Sequence, residues 1–223
     1  MSLILEQRGL FVGLLALCAG SWVFSLRMAG SMHHGAGVAT LFFMWAVMMV
    51  GMMIPPEAPA LLKLARARRS PLLAVSSLTG FLLPWIAFSL AAAALQSLLT
   101  AAGLIDHTMA MTSPALAGAL AIAAGLAQVS PLKRTCLERC RAPLDQGPAF
   151  AGGLRSSALS LGSCGVLMLV PFATGVMSVP AMVLLTLLLL LERWLPRSWP
   201  VSQVSGALLV AWGLWKLLAL EVI

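Results

Sequence analysis

The feature that most constrains this chain is a succession of long apolar segments, each about as long as a lipid bilayer is thick. A transmembrane helix needs about 20 predominantly apolar residues. Hydrophobic residues make up 61% of the 223 residues and charged residues only 9%, which is too few charges to cover a soluble domain of this size. The sequence therefore predicts an all-α, polytopic transmembrane helix bundle.

We predict about seven membrane spans within a single integral membrane domain, residues 1–223, because no repeat and no long linker divides the chain. The first span has the outline of a signal peptide, with Arg8 before an apolar stretch, but we interpret it as uncleaved. The predicted spans are Gly9–Leu26, Val38–Lys63, Pro71–Thr100, Ser113–Val129, Phe150–Met177, Val179–Leu195 and Val201–Leu220.

Arginine and lysine in the short loops predict the orientation of these spans, since both are enriched on the cytoplasmic side. With Arg8 at the start, the basic residues after the second, fourth and sixth spans would share that side. The N-terminus is then cytoplasmic and the C-terminus outside. The net charge of +7 reflects this topology and attraction to anionic lipid, so it does not indicate nucleic-acid binding. The loop residues concerned are Arg66, Arg68, Arg69, Lys133, Arg134, Arg139, Arg141, Arg193 and Arg197.

Five methionines lie within ten positions of the second span, in MWAVMMVGMMIPPEAP, residues 44–59. In a helix they form two adjacent stripes, which fits packing, because methionine fills irregular gaps between helices. It also fits metal binding, because thioether, thiolate and imidazole together suit copper, above all Cu(I). Both explanations remain open. Further candidate donors near the predicted outer side are Met28, Met32, Met109, Met111, His33, His34 and His107.

Two acidic residues lie near the predicted cytoplasmic ends of spans. Pro55 and Pro56 are expected to break or kink the second span, and Glu57 follows directly. A carboxylate at the interface is the simpler interpretation, although transporters often place an ion site beside a broken helix. Glu192 is followed by Arg193, so we expect an interfacial ion pair between these two neighbours.

A short amphipathic helix is predicted on the cytoplasmic surface from SPLKRTCLERCRAPL, residues 130–144. Ser130 can cap it, Pro131 suits its first position and Pro143 ends it. Two thiols four residues apart can bind a soft metal together, form a redox pair, or simply pack. The expected inward face is Leu132, Cys136, Cys140 and Leu144, and the expected polar face is Lys133, Arg134, Glu138 and Arg141.

A further thiol lies within the fifth predicted span, in SLGSCGVLMLVPFATGVM, residues 160–177. Cys164 is followed one turn later by Met168. Counting about 1.5 Å per residue inward from each end places both at the depth of Met48 and Met52. Close helix packing through the neighbouring glycines is the alternative explanation.

Three blocks together resemble a bacterial family of predicted metal-binding integral membrane proteins, which includes proteins associated with copper loading of a tyrosinase. The blocks are residues 44–59, residues 130–144, and SLGSCGVLMLVPFATGVMSVPAM continuing to LLERWLP; they cover about residues 44–196. The chain departs from the family pattern at Ser163, where a second cysteine is expected, at Glu57 and at Arg193. The resemblance implies functional roles for Met48, Met49, Met52, Met53, Lys133, Cys136, Cys140, Arg141, Cys164, Met168, Met177 and Glu192.

Three functional hypotheses follow. The first is a multi-pass protein of the bacterial inner membrane that handles Cu(I), as a chaperone or transporter, for a copper-dependent enzyme or metallochaperone and without catalysis. The second is a membrane thiol oxidoreductase using Cys136 and Cys140; the third is a metal-free transporter or scaffold. No nucleophile–base pair, phosphate loop or dinucleotide fingerprint is present, so no catalytic residue is predicted. The candidate metal ligands are Met48, Met49, Met52, Met53, Cys136, Cys140, Cys164, Met168, Met177, Glu192, His33 and His34.

Overall fold

The computed structural model describes residues 2–29, 37–106, 109–140, 147–176, 178–195 and 200–219. Within these ranges the chain is all-α, as predicted, and β-structure is limited to one isolated bridge between Ile105 and Met111. The helices are α1 (Ser2–Ala29), α2 (Val38–Ala67), α3 (Pro71–Ala101), α4 (Pro114–Val129), α5 (Pro131–Cys140), α6 (Ala149–Cys164), a 3₁₀ turn (Leu167–Leu169), α7 (Pro171–Thr174), α8 (Val179–Trp194) and α9 (Val201–Leu218).

Four described helices are long and apolar enough to cross a membrane by themselves, namely Arg8–Met28 within α1, then α2, α3 and α9. Two bent pairs also qualify when each is taken as one span: α4 with α5, bent by 59°, and α6 with the segment through α7, bent by 68°. The described residues therefore hold four to six candidate spans. The sixth predicted span corresponds to α8, which has only 16 residues and is not among these candidates, so the count of seven stays a prediction.

The fifth predicted span is not the continuous helix that its apolar sequence suggested. The helix ends at Cys164 and the chain continues at a sharp angle through the 3₁₀ turn. A side chain at Gly165 would bring its Cβ within 2.6 Å of the Leu161 carbonyl oxygen. Glycine therefore permits a close turn here, which apolar periodicity alone does not reveal.

Pro55 and Pro56 were expected to break or kink the second span. A break is wrong, since α2 runs through both prolines and through Pro59 as one helix, and a kink stays a prediction. A proline has no N–H, so each one leaves the carbonyl four residues earlier without its helical partner. For Pro55 that carbonyl belongs to Gly51, and the Cys18 thiol of α1 donates to its oxygen at 3.6 Å. A neighbouring helix thus compensates the missing backbone hydrogen bond.

Helix α2 lies at the centre of the bundle and packs against α1, α3 and α8, while α3 packs on α6, α4 on α9, and α5 on α6. Helices α3 and α6 meet backbone to backbone, because a Cβ at Gly80 or Gly153 would collide with a carbonyl oxygen of the other helix. Large apolar side chains such as Leu72 and Leu98 face outward. A surface of this kind suits contact with lipid.

Candidate functional site

All ten methionines in the described part of the chain belong to one hydrophobic cluster or pack against it; Met1, Met32 and Met177 of the thirteen lie outside the described residues. The cluster joins the predicted α2 stripes to Met168 and Cys164. It also includes Met182 of α8, whose only signal was its place at the end of the third motif block. The buried members are Met44, Met48, Met49, Met52, Met53, Met168 and Met182, and the half-buried ones are Met28, Met109 and Met111.

The two thiols of α5 face α6. The Cys136 sulfur occupies space that a side chain at Gly162 would need, since a Cβ there would lie 2.8 Å from it. The Cys140 thiol donates to the Ser156 carbonyl oxygen at 3.9 Å. Both cysteines are buried, and the contacts of both sulfur atoms are with α6.

The predicted inward position of Leu132 and the predicted outward position of Lys133 on α5 are wrong. Leu132 is 64% exposed, whereas Lys133 is only 2% exposed. The buried residues are Lys133, Cys136 and Cys140, which are spaced by three and four as a helix of 3.6 residues per turn requires. Leu144 and Arg141 lie outside the described residues. Lysine is almost never buried without a partner of opposite charge. The partner of Lys133 is Glu192, which is distant in the sequence.

Lys133 forms a buried ion pair with Glu192 of α8. Its Nζ lies 2.9 and 2.8 Å from the two carboxylate oxygens, and it also donates to the Gln128 side chain. Gln128 of α4 donates in turn to Glu192 at 3.1 Å, and Ser202 of α9 donates to the same carboxylate at 2.9 Å. This polar network joins α4, α5, α8 and α9.

Arg193 pairs with Glu57 of α2 and not with Glu192. The Ser156 hydroxyl donates to the other Glu57 oxygen at 2.8 Å, and Glu57 is 1% exposed. The expected pair between neighbours is therefore wrong, because successive residues on a helix project about 100° apart and reach different partners. Glu57 is a buried, paired carboxylate and not one left in interfacial water.

A small cavity of about 20 Å³ lies where these features meet, which is room for about one water-sized particle. Its wall includes Met53 and Cys164, the carboxylates Glu57 and Glu192, and Leu137 of α5. The Cys164 thiol donates to the Ser160 carbonyl at 3.0 Å. The cavity therefore places two soft sulfur donors beside both ion pairs.

Ser163, at the position where the sequence resemblance implies a second cysteine, lines the same cavity. Its hydroxyl donates to the Ser160 carbonyl at 2.9 Å. A hydroxyl therefore stands where that cysteine would add a third sulfur donor, beside Cys164 and Met53 in the cavity wall.

No group of three or more His, Cys, Asp or Glu side chains in the described ranges is arranged to hold a metal ion. The predicted ligands His33, His34 and Met177 lie outside the described residues.

The comparisons with known proteins identify the family. A family model described as "PpoB2: Copper chaperone" matches residues 42–216. The match covers most of the chain, including all but the first four residues of α2, both α5 thiols, Cys164 and Glu192. Neither a curated protein nor a solved structure matches at a significant level. The chain belongs to the PpoB2 copper chaperone family.

Proposed function

We propose that this protein is an integral membrane chaperone that binds Cu(I) through methionine and cysteine sulfur and passes it to a copper-dependent partner. The observation that carries the proposal is the single cluster that joins the ten described methionines with Cys164. Thioether and thiolate sulfur are the ligands that Cu(I) prefers in proteins. The role requires binding and release but no catalysed reaction.

The spacing of the donors suits movement of an ion through the bundle. The α2 methionines extend from Met44 to Met53, which is about 14 Å along a helix. Met53 and Cys164 then line the same cavity, and Leu137 of the thiol-bearing helix α5 forms part of its wall. We propose that Cu(I) moves along the α2 thioethers and reaches Cys136 and Cys140 through this cavity.

The topology of the proposal is the one predicted from the basic loops. Seven spans in a bacterial inner membrane, with a cytoplasmic N-terminus, would place α5 on the cytoplasmic side and Met109 outside. The outward-facing leucines and the apolar helices support membrane insertion, and the positive-inside rule supports the orientation.

The main competitor is a metal-free scaffold whose methionines only pack. A thiol oxidoreductase is less well supported, because Cys136 and Cys140 are buried against α6, whereas thiol exchange requires access to the sulfur. All four cysteines lie within the described ranges and are free thiols. A substitution that preserves side-chain volume but removes the sulfur atom distinguishes a packing role from a metal-binding role.

The test compares the purified wild type with Met48→Leu/Met52→Leu for bound Cu(I), using anaerobic competition against a coloured Cu(I) chelator. Leucine nearly matches methionine in volume, so the free energy of unfolding should fall by less than about 1.5 kcal/mol per site. We expect the variant to melt normally and to bind Cu(I) at least tenfold more weakly.

Leu61→Met is the matched control, because Leu61 is equally buried but belongs to a separate cluster. It should leave both melting and copper binding unchanged. If the wild type binds no Cu(I), or if the double leucine variant binds it as tightly as the wild type does, the methionines serve packing.

A further inference from the structure

Two half-buried methionines, Met109 and Met111, lie between α3 and α4 at the end of the bundle opposite the α5 thiols. Trp45 of α2 lies at this end, and its indole N–H donates to the Gln96 side chain of α3 at 2.7 Å. The thiol end is marked by Glu57, twelve residues later on α2, or about 18 Å along the helix. Both methionines contact the methionine cluster.

The backbone of Met109 is held in an unusual conformation. Its φ is +56°, in the left-handed region that residues other than glycine seldom adopt. Its N–H donates to the Asp106 carbonyl at 3.0 Å, and its own carbonyl accepts from the Val176 N–H at 3.1 Å. Strained residues of this kind persist where their surroundings fix them, and they concentrate at functional sites.

The side chain of Met109 is also held in place. The Gln96 amide donates to its sulfur at 3.5 Å, while the other end of that amide is fixed by Trp45. Gln96 is 1% exposed, so its amide group is buried, and the two hydrogen bonds of that group orient the Met109 sulfur. A thioether sulfur has a second lone pair, which remains available to a metal.

Met111 is fixed through its backbone, whose N–H donates to the Phe172 carbonyl at 2.9 Å. A carboxylate lies in the same turn, since Asp106 accepts from the Ala110 N–H at 3.1 Å. Met109 and Met111 are half-buried, pack against the buried methionine cluster and belong to the turn that carries the Asp106 carboxylate. Two thioethers placed in this way suit capture of a soft cation. Packing alone would need neither the strained backbone nor the amide donor.

We infer that Met109 and Met111 form an uptake site for a soft monovalent cation, Cu(I), which enters the methionine cluster from this end. The inference rests on the proposed function, because the uptake site would be the entry point of the path that leads through the α2 methionines to Cys136 and Cys140. Gln96 and Trp45 act as positioning residues that orient the Met109 sulfur.

The test measures the rate of Cu(I) uptake from a coloured Cu(I)–chelator complex by stopped-flow absorbance. The background carries Cys136→Ser and Cys140→Ser, so that uptake at the opposite end does not contribute. In this background, Met109→Leu/Met111→Leu should slow uptake at least tenfold while melting is unchanged. The matched control is Ile105→Leu, a conservative change at a buried neighbour that pairs with Met111, and it should keep the parent rate.

An unchanged uptake rate in the double leucine variant would overturn the uptake site. If Met48→Leu/Met52→Leu still loses copper in that case, the proposed function stands without it. A wild type that takes up no Cu(I) overturns both. If the double leucine variant melts at a lower temperature than its parent, Met111→Leu alone is tested, because it keeps the Gln96–Met109 hydrogen bond. This single variant should take up Cu(I) at least threefold more slowly. An uptake rate equal to that of the parent would refute the site.

Discussion

The ammonium group of Lys133 lies 2.8 Å from the carboxylate of Glu192, although 59 residues separate them along the chain. Both side chains are 3% exposed. The pair fixes α5 against α8, and Leu137 of α5 lines the cavity that holds Cys164. An ion pair between distant residues therefore helps to hold the two α5 thiols in position relative to the buried sulfur cluster.

Removing one partner of this pair should destabilise the protein more than removing both. Lys133→Met leaves a buried carboxylate without its ammonium partner, a change that typically costs about 3–5 kcal/mol. Adding Glu192→Gln removes the charge and keeps one carbonyl oxygen that can accept from Ser202, so it should restore part of the loss. Thermal melting in detergent measures both variants, with Arg134→Met, an exposed neighbour on α5, as the control. A Lys133→Met protein that melts like the wild type would show that the pair does not stabilise the fold.

Cys136 and Cys140 should act as one copper site. If both thiolates bind the same ion, replacing either by serine should weaken Cu(I) retention about as much as replacing both. Competition with a Cu(I) chelator measures retention. Cys18→Ser is the control, because a serine hydroxyl can still donate to the Gly51 carbonyl. Two small losses that add up in the double variant would mean that the thiols bind independently or only pack.

Gly153→Ala should separate α3 from α6. A Cβ at this position collides with the Ser77 carbonyl, and backbone cannot rotate aside as a side chain can. We expect a loss of about 1–3 kcal/mol in unfolding free energy, as for other overpacked sites, measured by chemical denaturation. Gly13→Ala on α1, whose Cβ would meet nothing within 4 Å, should be neutral or slightly stabilising. Equal stability of the two variants would contradict the close contact.

The predicted topology places the two ends of α3 on opposite sides of the membrane. In a cysteine-free background, Ser70→Cys should be protected from a membrane-impermeant thiol reagent in intact cells, and Ala102→Cys should react. Permeabilised cells provide the control, because both positions should react there. Labelling of both cysteines from the same side of intact cells would refute the assignment of α3 as a span.

Features that depend on local periodicity were predictable from the sequence. The apolar runs predicted an all-α chain, and the spacing of the α2 methionines predicted that they share neighbouring faces. The inward position of Cys136 and Cys140 followed from the pattern of α5. Each of these depends on residues within about two helical turns of one another.

Features that depend on distant partners were not predictable. Lys133 was expected on the polar face because it is charged. Its burial depends on Glu192, which belongs to another helix and could not be identified from the pattern of α5. The unbroken course of α2 through Pro55 depends partly on the Cys18 thiol of α1. The bend after Cys164 reflects a close turn at Gly165 inside an apolar stretch, where hydropathy gives no signal.

The balance of charge around the cavity bears on the direction in which copper would travel. Glu57 is paired with Arg193 and Glu192 with Lys133, so each carboxylate of the cavity wall is already balanced by a cation. A Cu(I) ion held only by neutral thioethers keeps its full positive charge in a medium of low polarity, which is unfavourable. A thiolate neutralises that charge. Under the proposed function, the ion would therefore be held more tightly at Cys136 and Cys140 than among the methionines, and transfer would run toward the thiols.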